Sequence, residues 1–348
     1  MPDIHIRKAG KIGHITLDRP KALNALSYEM CLEIEAALDA WRDDDQVAMI
    51  LFDAKGDRAF CAGGDIVEMY ETGRAGDYDY GRRFWRDEYR MNAKLFEFPK
   101  PVASLMQGFT MGGGVGVGCH GSHRVVGDSS QIAMPECGIG LIPDVGGSLI
   151  LSRAPGRLGE YLGLTAGRMG PGDAILAGFA DYYIPEGKWP DLTEQLIETG
   201  DWTLIDAAAS AAPDSQLAAL RPEIDEHFGG ERLGDIVRSL ENAGTEFAAK
   251  ALKTLNRNSP LSMASALEII HRVRGAESIR RALDHEYRFT YRAAEHGDFV
   301  EGIRAQIIDK DRNPNWKHTG PADVPAADVV NMLLPIPGVT LDFEGNTP

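Results

Sequence analysis

The sequence predicts an α/β core followed by a helical C-terminal region, on three observations. Over the first two hundred residues, short apolar runs of strand length alternate with segments of helical period. One of those runs, VAMILFDA at 47–54, is apolar almost throughout, as a strand covered on both faces must be. Beyond about Trp202 the strand-like runs stop and only the 3.6-residue period continues.

The elements follow in order. The N-terminal residues MPDIHIRKAGKIGHITL alternate as a strand does, and 13–17 reads as one. Ser27 is placed to cap a helix whose apolar face is Met30, Ile34, Leu38 and Trp41, at spacings of four and three. Residues 47–54, 102–107, 124–126 and 131–134 read as further strands. A helix over 84–96 carries Phe84, Trp85, Met91, Leu95 and Phe96 around one side. Glu88 lies on that apolar side, so it needs a partner or a purpose, and an arginine would be the ordinary partner. The Ala- and acid-rich stretch 207–230 shows no strand pattern. Two helical faces follow, Met263, Leu267, Ile270 and Val273, then Ile279, Leu283, Tyr287 and Tyr291. The tail from Asn313, rich in Pro and Asp, reads as a surface extension. These patterns place a core bearing the active site in 1–205 and a helical region packed on it in 206–348. No internal repeat is visible.

At 348 residues, with 43% hydrophobic and 25% charged side chains, the chain reads as globular and soluble. No apolar run approaches the roughly 18 residues of a membrane helix. The N-terminus lacks the basic end, apolar block and cleavage site of a secretory signal. Asp plus Glu (52) outnumber Lys plus Arg (36), for a net charge of −16. Such a surface repels a nucleic-acid backbone, while a local basic patch can still hold a phosphorylated small molecule. The cysteines at 31, 61, 119 and 137 show neither CxxC nor zinc spacing, and three sit in apolar or glycine-rich surroundings. That pattern fits reduced, buried thiols and a cytoplasmic setting.

Function is written most densely in two glycine corners, FCAGGDI at 60–66 and MGGGVG at 111–116. Each places consecutive glycines at a strand-to-helix turn, where backbone N–H groups can approach a ligand. Two such corners can supply a pair of donors to a developing oxyanion, as acyl transfer requires. Asp65 in the first corner reads as a helix N-cap, which leaves the Gly64 N–H free. Downstream, AMPECGIGLIPDVGG (133–147) sets Glu136 between Pro135 and a Cys-Gly pair. Desolvation there would raise its pKa and suit it to acid–base or nucleophilic work. Asp144 precedes Val145-Gly146-Gly147 and an apolar helix, so N-capping is its ordinary explanation.

Other motifs fall away. GVGCHG at 116–121 matches the dinucleotide fingerprint, but inside a helix rather than at its start and without the acidic residue further on. His120 and His123 beside Cys119 lack a second ligand cluster, so no metal is expected. Neither GxxxxGK[ST] nor G-x-S-x-G occurs.

Taken together, RPKALNALSYEM (19–30), AFCAGGDI (59–66), MGGGVG, MPECGIGLIPDVGG (134–147) and LTAGRM (164–169) resemble the crotonase superfamily, that of enoyl-CoA hydratases and isomerases. The likeness runs from about Ile12 to Trp316. Within the superfamily it is strongest to a hydrolase subgroup, through FWRDEYRMN (84–92), QGFTMGGGVG (107–116) and EGIRAQIIDKDRNPNW (301–316). The resemblance implies a crotonase (ClpP-like) fold, a spiral of β-β-α units with a helical C-terminal region. It also implies an acyl-CoA substrate, with the Gly64 and Gly113 N–H groups as oxyanion hole. Glu136 matches one of the two hydratase glutamates, whereas the other falls on Gly116; Asp144 falls where hydratases carry glycine. The subgroup's functional positions match Glu88, Gly113, Glu136 and Asp144, with Glu136 and Asp144 catalytic and Glu88 positioning substrate. The implied reaction is hydrolysis of 3-hydroxyisobutyryl-CoA in valine breakdown, and hydration or isomerisation of an enoyl-CoA is the alternative. No metal or redox cofactor is implied, CoA being part of the substrate, and trimer-based homo-oligomers are common in the superfamily.

Overall fold

The computed structural model describes residues 2–345, and within them nine strands form two sheets that wind together. The strands are β1 Ile4–Ala9, β2 Ile12–Leu17, β3 Met49–Ala54, β4 Ala59–Cys61, β5 Val102–Met106, β6 Phe109–Met111, β7 His123–Val126, β8 Gln131–Ala133 and β9 Tyr182–Tyr183. The larger sheet has the order β1-β2-β3-β5-β7-β9, and the smaller one β4-β6-β8. Only the β1–β2 pair is antiparallel; all other pairs are parallel.

The spiral follows from that order. β3 and β4, β5 and β6, then β7 and β8 each place one strand in the large sheet and the next in the small one. Register steps forward with each turn: Ile50 opposes Val102 and Ala103 opposes His123, while Phe109 opposes Ala59 and Gln131. The crotonase fold expected from the motifs is thus present. The repeat escaped the sequence because it is one of geometry, carried by strands of only three residues in the small sheet.

Helix α1 (Tyr28–Trp41) starts as expected, with Ser27 Oγ accepting the Met30 N–H at 3.2 Å. Its Met30, Ile34, Leu38 and Trp41 are all buried. At about 1.5–3 kcal/mol per large apolar side chain, that face alone fixes the helix on the sheet. Helix α2 (Val67–Arg74) follows, and α3 (Asp79–Phe96) lies against α1 and against the helix Ile279–His296. Helix α4 (Gly113–Gly118) is a single buried turn and a half behind β6. Its glycines allow close approach: a Cβ on Gly114 would lie 2.1 Å from the Cys61 carbonyl oxygen. Helix α5 (Gly147–Arg153) completes the third unit.

The C-terminal helices Pro260–Val273 and Ile279–His296 bury the faces expected of them, with Tyr291 half-buried. They join the hydrophobic cluster that includes Leu17, Phe60 and Val115. Three local expectations are corrected. Asp65 does not cap α2, whose N-cap is Ile66; its carboxylate pairs with Arg19 at 3.0 Å instead. Asp144 does not cap α5, whose N-cap is Gly146. The tail is no mere surface extension, because the helix Ala326–Leu333 buries Met332 and Leu333 against the C-terminal helices.

Candidate active site

The two glycine corners, β4 to α2 and β6 to α4, meet at one cavity of about 410 Å³. Gly64, Glu88, Gly113, Glu136 and Asp144 all line it, together with apolar side chains that include Leu23, Phe84, Trp85 and Leu141. The corners are close: a Cβ placed on Gly113 would lie 3.2 Å from the Gly64 amide nitrogen. The backbone leaves both amides available. A parallel bridge runs from Leu26 N–H to Gly63 O and from Asp65 N–H to Leu26 O, so the peptides flanking Gly64 face Leu26 and its own N–H faces away. Gly113 is the first residue of α4, where an N–H has no intrahelical acceptor. Gly112, at φ +50°, makes the bend, and a Cβ there would lie 2.7 Å from Glu136 Oε1. Glu136 therefore stands directly beside the second corner.

Three carboxylates share this cavity, each under 5% exposed: Glu88 (3%), Glu136 (4%) and Asp144 (4%). No arginine or lysine pairs with any of them among the described residues, and Glu88 Oε1 and Glu136 Oε2 have no hydrogen-bond partner there. The arginine expected beside Glu88 is absent, which leaves purpose as the reason for its burial. Burial first, then the neighbouring Asp144, pushes Glu88 and Glu136 well above the usual carboxylate range. Asp144 is pushed up to about 7 by burial, opposed by the hydroxyl of Tyr89, which donates to Oδ2 at 2.7 Å. Three buried acids without a cation form a site that can accept protons, attack an electrophile or bind a hydroxyl.

The loop holding Asp144 is strained and clamped. Val145 sits at φ +52°, a costly conformation for a β-branched residue. Its carbonyl accepts the Nε2–H of His120 at 2.6 Å. Glu286, fully buried on the helix Ile279–His296, accepts the Gly146 N–H at 2.8 Å, the Ser148 N–H at 3.1 Å and the Ser148 hydroxyl. A residue 140 positions away thus supplies the cap expected of Asp144, which frees Asp144 to face the cavity. Sequence reasoning missed Tyr89, His120 and Glu286 in this role. For Glu286 a signal exists, since it falls between Leu283 and Tyr287 on a helix face that must be buried. His123 takes no part; its ring stacks on Tyr182. No cluster of three or more His, Cys, Asp or Glu able to hold a metal occurs among the described residues.

These acids set a pH dependence of stability. Asp144 moves from 3.8 to about 7 on folding, and Glu286 from 4.5 to about 8, burial leading in both. A raised carboxyl keeps its proton when folded and loses it on unfolding, so its stabilising contribution is full below the unfolded value and is lost as pH rises through the folded one. For Asp144 the loss is roughly 4 kcal/mol between about pH 4 and 8. Carboxylates that arginine holds below their ordinary values despite burial, such as Glu35 and Asp87, contribute in the opposite sense, their stabilisation being lost toward acid pH. Thermal stability is expected to fall from pH 5 to 8.5, and Asp144→Asn to flatten the slope. An unchanged slope in Asp144→Asn would mean that Asp144 titrates normally in the fold.

The family model described as enoyl-CoA hydratase/isomerase matches residues 12–333. The chain belongs to the enoyl-CoA hydratase/isomerase family. Among members of that family it is similar to the mitochondrial 3-hydroxyisobutyryl-CoA hydrolase of Gallus gallus, at 36% identity over 96% of this chain and 89% of that protein. It is 38% identical to the enzyme of the same name from Danio rerio, over 90% of this chain and 85% of that one. A solved enoyl-CoA hydratase from Rhodobacter sphaeroides matches with a TM-score of 0.93 and 56% identity, covering 96% of this chain and 98% of that one. A carnitinyl-CoA dehydratase from Mycobacterium thermoresistibile matches with a TM-score of 0.94 and 41% identity, over 99% and 100% of the two chains.

Within the enoyl-CoA hydratase/isomerase family, the structure explains why this member has glycine where the second hydratase glutamate is expected. A Cβ on Gly116 would lie 2.8 Å from both Asn92 Nδ2 and Val145 Cβ. The strained loop that carries Asp144 fills the space an acidic side chain would need. A side chain at position 116 and the loop that carries Asp144 would compete for the same space.

Proposed function

We propose that this chain hydrolyses the thioester of 3-hydroxyisobutyryl-CoA to 3-hydroxyisobutyrate and CoA, a step of valine breakdown. The observation that carries the proposal is the exchange at Gly116: no second acid fits there, and Asp144 enters the cavity from the packed loop instead. Hydration of an alkene needs two acid–base groups flanking the double bond, whereas thioester hydrolysis needs attack on the carbonyl carbon with support for its oxygen. The names of the curated relatives agree with this choice.

In the proposed reaction the thioester oxygen accepts the N–H groups of Gly64 and Gly113. Glu136 works by one of two routes. In the first its carboxylate attacks the carbonyl carbon, the C–S bond breaks, CoA leaves as thiolate and takes up a proton, and water hydrolyses the mixed anhydride to regenerate Glu136. In the second Glu136 removes a proton from the water that attacks the carbonyl carbon, the C–S bond breaks, and CoA leaves as thiolate and takes up that proton. Asp144 orients the 3-hydroxyl or the water, and Glu88 helps position either group. The two amides polarise the carbonyl, so the chemistry calls for no metal or redox cofactor. A net charge of −16 argues against a nucleic-acid partner. No helix among the described residues is long and apolar enough to cross a membrane. The four free, buried cysteines support a cytoplasmic setting, and a trimer-based homo-oligomer completes the proposal.

The solved structures named hydratase and dehydratase give the rival reading, addition of water to an enoyl-CoA. Incubation with 3-hydroxyisobutyryl-CoA and, separately, with crotonyl-CoA separates the two. Thiol release from the first is expected. Loss of the crotonyl double bond without thiol release would replace hydrolase by hydratase.

A further inference from the structure

We infer that Tyr89 is the positioning residue for Asp144: its buried hydroxyl, beside Thr290, donates to the Asp144 carboxylate and fixes it at the cavity wall. The inference rests on the proposed role of Asp144 as a working carboxylate of the cavity. Tyr89 follows Glu88 on α3, and successive helical residues point about 100° apart. One residue therefore serves the Gly113 corner and the next serves Asp144. Tyr89 is 0% exposed, and its hydroxyl lies 2.7 Å from Asp144 Oδ2 and 3.4 Å from Thr290 Oγ1. Its ring meets Tyr287 edge-on, with centroids 6.1 Å apart, so the side chain is packed as well as bonded.

The surroundings show why one hydroxyl matters. Helix α3 brings Glu88 to the Asp144 region, the 3-10 turn Glu136–Ile139 brings Glu136, and the helix Ile279–His296 brings Glu286 and Tyr287. His120 approaches from the segment after α4, and burial pushes it down to about 4, so it is neutral. No lysine or arginine forms an ion pair with Asp144 among the described residues. Burial favours the protonated acid; the Tyr89 hydroxyl is the side chain that opposes it. Burial also pushes the Tyr89 phenol well above its usual range, so it remains a donor across the working pH range. A hydrogen bond to a charged acceptor is among the stronger ones, and its loss in a buried site is large.

Tyr89→Phe keeps the ring and removes only the hydroxyl. Asp144 can be followed without substrate by isotope-edited infrared titration, its band being the one absent from Asp144→Asn. In Tyr89→Phe the midpoint of that band is expected to rise by about one to two pH units. Thr290→Val, which leaves the Tyr89 hydroxyl in place, should move it less. The acid limb of kcat/KM for thiol release should shift in the same direction, with roughly tenfold loss at pH 7. A purely packing role would lower the melting temperature and leave both midpoints where they are, and that result would overturn the inference. Because the infrared readout needs no turnover, failure of the proposed hydrolase activity would be seen separately, as absent thiol release from the unmodified protein.

Discussion

Glu136→Gln is expected to lower kcat for thiol release by about 10³-fold or more while leaving acyl-CoA affinity within a few-fold. The amide is isosteric with the carboxyl, so the packing against Gly112 is retained. What it lacks is the ability to attack a carbonyl carbon or to take a proton from water. In the proposed reading, binding rests on the apolar wall and the two glycine amides, none of which the substitution replaces. Single-turnover thiol release and equilibrium binding of a non-hydrolysable acyl-CoA analogue check the two halves. Full activity in Glu136→Gln would remove this side chain from the mechanism. The same carboxyl is held above the usual range by burial and by Asp144, so turnover in the unmodified protein should rise with pH as Glu136 ionises.

Gly113→Ala is expected to cost about 10²- to 10³-fold in kcat, comparable to losing one oxyanion donor. The added methyl would lie 3.1 Å from Glu88 Oε1 and 3.2 Å from the Gly64 nitrogen, crowding the donors proposed to converge on the substrate oxygen. Helix propensity points the other way, since Ala is favoured over Gly within a helix by about 1 kcal/mol. The informative result is therefore a near-normal melting temperature with collapsed activity. Gly64→Ala supplies the contrast in stability, for a Cβ there meets no atom within 4 Å. Wild-type turnover in Gly113→Ala would show that the thioester oxygen lies elsewhere.

The α/β core, the capped first helix and the paired C-terminal helices are legible in the sequence because each rests on local period and capping chemistry. Ser27 and the Met30–Trp41 face needed nothing beyond their own helix. The glycine corners are legible too, since consecutive glycines at strand-to-helix turns have few other uses. β4 and β6 are not legible. Three residues are too few to show a period, and their pairing is between segments about fifty residues apart.

The carboxylates divide along the same line. The burial of Glu136 could be anticipated from its apolar, glycine-rich neighbours, and that of Glu88 from its place on an apolar helix face. Asp144 was ambiguous between cap and site, and Glu286, on a helix far along the chain, resolved it by taking over the cap. Local sequence thus determined which segments are strands, helices and ligand-facing turns, because backbone propensity and side-chain period act over a few residues. Tertiary structure alone decided which acids stand together without a cation and which hydroxyl holds one of them. Burial and Coulomb interaction depend on distance in space, and the chain order does not contain that distance.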